Sequence, residues 1–136
     1  MPSFSYLKKI FYKDIDQMGL VYYSRYFEFF EEARTELLNN MGIKVTTIED
    51  LGYFLPVISA TCDYKEGAKL EDIIIVKTVL QRMIGIKLKI VYEIYRKSDS
   101  HFLVSGHTMH VFTDKKGAPK RPPKFFIEKF KLISND

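Results

Sequence analysis

Only one cysteine, Cys62, and no tryptophan occur among the 136 residues. A lone thiol excludes an internal disulfide and points to a reducing compartment. No apolar run approaches the length of a bilayer span, so a membrane-crossing helix is not expected. The opening MPSFSYLKKIF lacks the long apolar stretch and small-residue cleavage site of a secretory leader, which points to the cytoplasm. Histidine is scarce as well, and no spacing of Cys and His suits zinc. His107 and His110 stand at odd spacing on a strand-like run and so face opposite sides, which prevents them from chelating one metal together. Nor do the histidines form a recognisable nucleophilic triad with Ser59 or Ser105. Neither metal nor cofactor is expected.

Charge of one sign is also in short supply. The net charge is +4 with a pI near 9.0. The excess sits largely in KKG, KR and the C-terminal segment. An ordinary basic surface is the plainest reading; attraction of an anionic small molecule such as coenzyme A is a second, and nucleic-acid binding the weakest.

What the chain does have is a globular composition, with 46% hydrophobic and 28% charged residues. At this length it is expected to form one domain, residues 1–136, with a core that needs no staples. Aromatics are abundant, with 11 Phe and 9 Tyr.

Hydropathy periods predict the elements. Residues 4–12 alternate loosely and read as a strand. Lys13–Gly19 carries Asp14, Asp16 and Gly19, which is turn chemistry. From about Val21 to Met41 a helical wheel gathers Tyr22, Tyr23, Tyr26, Phe27, Phe30, Ala33, Leu37, Leu38 and Met41 in one half. So wide an apolar arc requires a helix covered deeply on one side. Gly42 suits its C-cap. Arg34 falls inside that arc, which calls for a carboxylate partner, a subunit interface, or a packed stem with its head in water.

Thr46 or Thr47, with Glu49 and Asp50, predicts a short helical turn ending at Gly52. Strand-like runs then cover Phe54–Lys65, Asp72–Met83, Ile86–Arg96 and Phe102–Thr113, joined by short connections that only antiparallel neighbours permit. Pro122 and Pro123 precede a terminal helical segment, FFIEKFKLI. The order predicts an α+β fold: one long helix wrapped by a curved antiparallel sheet of about five strands, with a short C-terminal helix.

The run D-I-D-Q-M-G-L-V-Y-Y-S-R-Y and the following F-F-E-E-A-R resemble the hot-dog-fold acyl-CoA thioesterases of the 4-hydroxybenzoyl-CoA type, most closely the branch associated with the Tol-Pal system. GYFLPV, CDYKEGAKLEDIIIV, SGHTMHVFTDKKG and KRPP sit where that family places similar segments. The resemblance implies metal-free hydrolysis of acyl-CoA thioesters by a homodimer or homotetramer with active sites at the subunit interface.

It also implies roles. Asp16 matches the family's general base or nucleophile, whereas Asp14 reads as a turn former or orienting group. Gly19 would let the backbone turn and approach the ligand. Free amides around Val21–Tyr23 would hold the oxyanion, helped by the helix dipole. Tyr23 stands where the Tol-Pal branch commonly has His and some aromatic-acyl members have Tyr; its ordinary pKa of about 10 makes it a poor proton acceptor near neutrality. Glu31 either orients the site or pairs with Arg34. Tyr22 and Tyr26, with Phe30, either line an acyl tunnel or fill the core. Lys120 and Arg121 either meet coenzyme A phosphates or form a solvated basic face. Cys62 reads as a core residue.

Rival functions separate on one position. Hot-dog hydratases carry a histidine after the aspartate where this chain has Val21, so hydration lacks its second group. A non-catalytic acyl-CoA-binding or protein-binding module is the remaining alternative.

Overall fold

The structure, a computed structural model, describes residues 1–134, so the last two positions of the expected domain lie outside the described residues. Strand β1 (Ser3–Lys9) leads through a single 3-10 turn at Tyr12–Asp14 to the long helix α1 (Arg25–Asn40). A short helix α2 (Val45–Asp50) precedes strands β2 (Val57–Tyr64), β3 (Ile73–Leu80), β4 (Lys87–Arg96) and β5 (Phe102–Val111). The terminal helix α3 spans Lys124–Ser134. The five strands form one antiparallel sheet in the order β1-β3-β4-β5-β2. This is the hot-dog arrangement that the element order predicts.

Period-two patterning makes the sheet two-faced. Ile74, Val76, Thr78 and Leu80 on β3 are buried, as are Leu88, Ile90, Tyr92 and Ile94 on β4. These side chains meet the apolar arc of α1, where Tyr26, Phe29, Phe30, Ala33, Leu37 and Leu38 are buried. A lone helix of this length is marginal in water, and each large side chain it buries contributes about 1.5–3 kcal/mol. Docking on the sheet therefore stabilises α1 more than helix propensity does.

The contact is tight at its centre. Phe30 stacks on Tyr92 with ring centroids 4.2 Å apart and an interplanar angle of 11°. Opposite the Phe30 ring lies Gly106 of β5, where an added Cβ would come within 2.7 Å of that ring and 2.5 Å of the Thr61 carbonyl. A side chain at 106 would require the Phe30 ring or the β2 backbone to shift.

Two expectations need correcting. Tyr22 and Tyr23 are exposed, because they precede the helix, and Phe29 is buried in their stead. Phe29 packs edge-on to Tyr26, at 5.8 Å, and beneath the Lys8 ammonium of β1. The helix also begins at Arg25 rather than near Val21. At the far edge of the sheet, β2 is exposed along almost its whole length.

Candidate functional site

Residues 11–22 form a doubly pinned turn. Asp14 is buried, and its Oδ2 accepts the Phe11 N–H at 3.0 Å while its carbonyl accepts the Tyr22 N–H at 2.9 Å. It is the turn former of the pair. Asp16 closes a tighter loop, donating its N–H to the Leu20 carbonyl at 2.8 Å and accepting the Gly19 N–H at 3.0 Å. Its side-chain Oδ1 accepts from the amides of Met18 at 2.8 Å and Leu20 at 3.3 Å. Oδ2 has no hydrogen bond among the described residues and is free to act. Gly19 has φ +79°, a backbone state that costs glycine little. A Cβ there would meet nothing within 4 Å, so the requirement is conformational.

The late start of α1 has a local cause. The Val21 N–H is captured by the Ala68 carbonyl and the Tyr22 N–H by that of Asp14, each at 2.9 Å. Helical bonding resumes when the Arg25 N–H meets the Tyr22 carbonyl. Of the three amides expected to hold an oxyanion, two are thus engaged. The Tyr23 amide, together with that of Ser24, has no backbone acceptor among the described residues, and both open the positive end of α1.

A cleft of about 330 Å³ joins Asp16 to Tyr23. Its lining includes Asp16, Tyr22, Tyr23, Tyr64, Glu66 and the edge of Tyr26. Tyr22 and Tyr23 stand at the mouth, 46% and 59% exposed, with ring centroids 4.5 Å apart. The hydrogen bond to Tyr23, followed by that hydroxyl's charge, raises the pKa of Tyr22. Tyr26 is mainly a core pillar: it is 1% exposed and its hydroxyl accepts the Ala68 N–H at 3.1 Å.

Tyr64 went unrecognised in the sequence. Its hydroxyl donates to the Tyr23 carbonyl at 2.9 Å, and burial foremost pushes its pKa up, so it remains a donor. Its position before the turn KEGAKLE gave no sign of this, since only the sheet order carries β2 to the start of α1.

Other expected residues lie apart. Glu31 is exposed in a separate groove with Phe27, Arg34 and Thr108. No Glu31–Arg34 ion pair forms among the described residues, although both line that groove. Lys120 stacks its ammonium 4.4 Å above the Tyr53 ring, and Arg121 is exposed; neither lines the cleft. Cys62 is half-buried against the core. Among the described residues no group of three or more His, Cys, Asp or Glu is placed to hold a metal.

Known proteins share this architecture. A Haemophilus influenzae protein named acyl-CoA thioesterase YbgC is 36% identical over 84 residues, 61% of this chain and 62% of its own. The Escherichia coli acyl-CoA thioester hydrolase YbgC is 27% identical over 90% of this chain and 92% of its own. The crystal structure of DHNA-CoA thioesterase from Staphylococcus aureus superposes with a TM-score of 0.91 at 21% identity, covering 99% of this chain and 93% of that one, which shows the shared fold. Residues 12–130 match the thioesterase-like superfamily pattern, a span that holds the pinned turn from Tyr12 onward and the whole sheet beyond β1. By that match the chain belongs to the thioesterase-like superfamily.

Proposed function

We infer that the protein hydrolyses the thioester bond of acyl-CoA, releasing a free acid and coenzyme A. The observation that carries this reading is the carboxylate of Asp16, pinned through Oδ1 and free at Oδ2, in one cleft with Tyr23, whose amide has no backbone acceptor among the described residues. As a base, Asp16 takes a proton from water as the water oxygen bonds to the thioester carbon. The oxyanion is held by the Tyr23 and Ser24 amides, the C–S bond breaks, and the proton passes to the departing thiolate. As a nucleophile, Asp16 itself displaces the thiolate, and water then hydrolyses the mixed anhydride. Both routes use the same oxygen and the same amides.

Tyr22 and Tyr23 flank the acyl entrance in this reading. Glu31, Lys120 and Arg121 reach substrate only from a neighbouring subunit. That fits a homodimer or homotetramer with interface active sites, and the exposed edge of β2, with Val57 and Ile58 42% and 51% exposed, is the surface we assign to pairing. The chain acts as one domain in the cytoplasm, the compartment its single cysteine suits. No helix of the described residues is long and apolar enough to cross a membrane.

The test is thiol release from a panel of short, medium and aromatic acyl-CoA substrates. Turnover of at least one class is expected; silence across the panel, with acyl-CoA still bound, would replace hydrolysis by a binding role.

A further inference from the structure

The Asp16 cleft changes character with depth. Its exposed rim carries Tyr22, Tyr23, Lys65 and Glu66, whereas Val21 and Tyr26, 6% and 1% exposed, form its inner end. An acyl-CoA thioester has the same division. The charged carrier belongs in water beyond the rim, and the acyl chain, on the other side of the reacting carbon, belongs against the apolar inner end.

That inner end is closed. The Tyr26 ring packs edge-on to Phe29 at 5.8 Å and to Tyr64 at 5.5 Å. Its hydroxyl accepts the Ala68 N–H at 3.1 Å, which fixes the far end of the side chain. Beyond it the core is filled by Phe29, Phe30 and Tyr92, all buried, the last two stacked on each other. The seam between the turn and the loop after β2 is shut as well. There Leu20 presses on Gly67, where an added Cβ would come within 3.1 Å of the leucine side chain. A larger cavity of about 410 Å³, between α1, α2 and the β4–β5 pair, shares no lining residue with the cleft and does not prolong it.

Volume then sets the scale. At about 330 Å³ the cleft lies at the small end of the range of ligand sites, roughly 300–1,000 Å³. A chain carbon occupies about as much space as a water, roughly 30 Å³. A propyl chain or a phenyl ring would take about a quarter to a half of the cleft, leaving room for the thioester and the thiol arm. The tail of a lauroyl group alone would take about all of it.

We propose that Tyr26 is the specificity-determining residue of this site: it stops the acyl group after about six carbons, so the substrates are short-chain or single-ring acyl-CoA thioesters. The proposal rests on the hydrolase reading, since the cleft is the same. A longer chain has to turn back past Tyr22 and Tyr23 into water, where further methylenes gain no burial. An open tunnel would instead reward each methylene about fourfold.

The test is thiol release from butyryl-, hexanoyl-, octanoyl- and lauroyl-CoA, each below its micelle concentration. In the unmodified protein kcat/KM should climb to hexanoyl-CoA and then level off or fall. Tyr26→Ala, which removes the ring, should raise the octanoyl-to-hexanoyl ratio about tenfold. Tyr26→Phe keeps the ring and loses only the bond to Ala68, so its ratio should match that of the unmodified protein. A purely structural Tyr26 would lower turnover of every substrate together and leave the ratio in place, which overturns the proposal. Should Tyr26→Ala fail to fold, Tyr26→Leu takes its place. In the unmodified protein, a gain of about fourfold per methylene up to lauroyl-CoA overturns the proposal by itself. If no thioester is cleaved, the hydrolase reading fails separately, and calorimetric affinity for the same series decides. The proposal then requires no gain beyond hexanoyl-CoA; a steady rise to lauroyl-CoA, or no binding at all, overturns it.

Discussion

The hydroxyl of Tyr64, at the end of β2, donates to the carbonyl of Tyr23 at 2.9 Å. Because the peptide joining Tyr23 to Ser24 is planar and trans, holding that carbonyl also aims the Ser24 N–H the opposite way. An edge strand thereby orients an amide at the start of α1. If that amide stabilises an oxyanion, Tyr64 acts through it as a positioning residue. Tyr64→Phe, which keeps the ring and deletes the donor, should lower kcat about tenfold with little change in KM. Steady-state kinetics on a preferred acyl-CoA check this. A rise in KM at constant kcat would place Tyr64 in ground-state binding instead.

Asp16→Asn should separate chemistry from structure. The Asn Oδ1 still accepts from the Met18 and Leu20 amides, so the turn and the assembly state should persist. The negative charge and basicity are lost, and the rate should fall by about 10²–10⁴-fold. Thermal unfolding and light scattering alongside thiol release make the comparison. An unchanged rate would remove Asp16 from the mechanism.

Gly106→Ala tests the centre of the fold. The new methyl would lie within 2.7 Å of the Phe30 ring and 2.5 Å of the Thr61 carbonyl, a backbone atom with little room to yield. Overpacking of this kind costs about 1–3 kcal/mol or more, visible as a lower denaturant midpoint. Gly19→Ala makes a useful contrast. Its penalty comes from φ +79° alone, about 1–2 kcal/mol, with no clash.

His110 links stability to acidity. Its folded pKa of about 4 lies below the ordinary value of 6.5, so between those values the unfolded chain binds the extra proton. Stability is therefore fully present above about pH 6.5 and is lost as pH falls toward 4, by roughly 2–4 kcal/mol for this group. Urea unfolding at several pH values should show that loss reduced in His110→Phe. Equal pH dependence in both proteins would assign it to the carboxylates.

Much of the fold was legible in the chain. Alternation in Lys87–Arg96 placed Leu88, Ile90, Tyr92 and Ile94 on the buried face, and the helical period placed Tyr26, Phe30, Ala33 and Leu37 against them. Short Gly- or Ser-bearing connections excluded parallel pairing. Asp14 and Asp16 were separable before any coordinates only through the family resemblance, because both read locally as turn residues; that Asp14 is the buried one came from the structure.

Contacts between distant segments escaped that reading. Hydropathy does not record that the Ala68 carbonyl captures the Val21 amide and delays the helix, nor that β2 lies beside the helix start. Arg34 looked like a charge in search of a carboxylate, whereas among the described residues it forms no ion pair and lies half-buried on the walls of two grooves beside the sheet. By itself the sequence determined the two faces of each element, because periodicity is a local property of the chain. Tertiary structure alone decided which backbone donors stayed unpaired, because each such donor depends on an acceptor contributed from elsewhere in the chain.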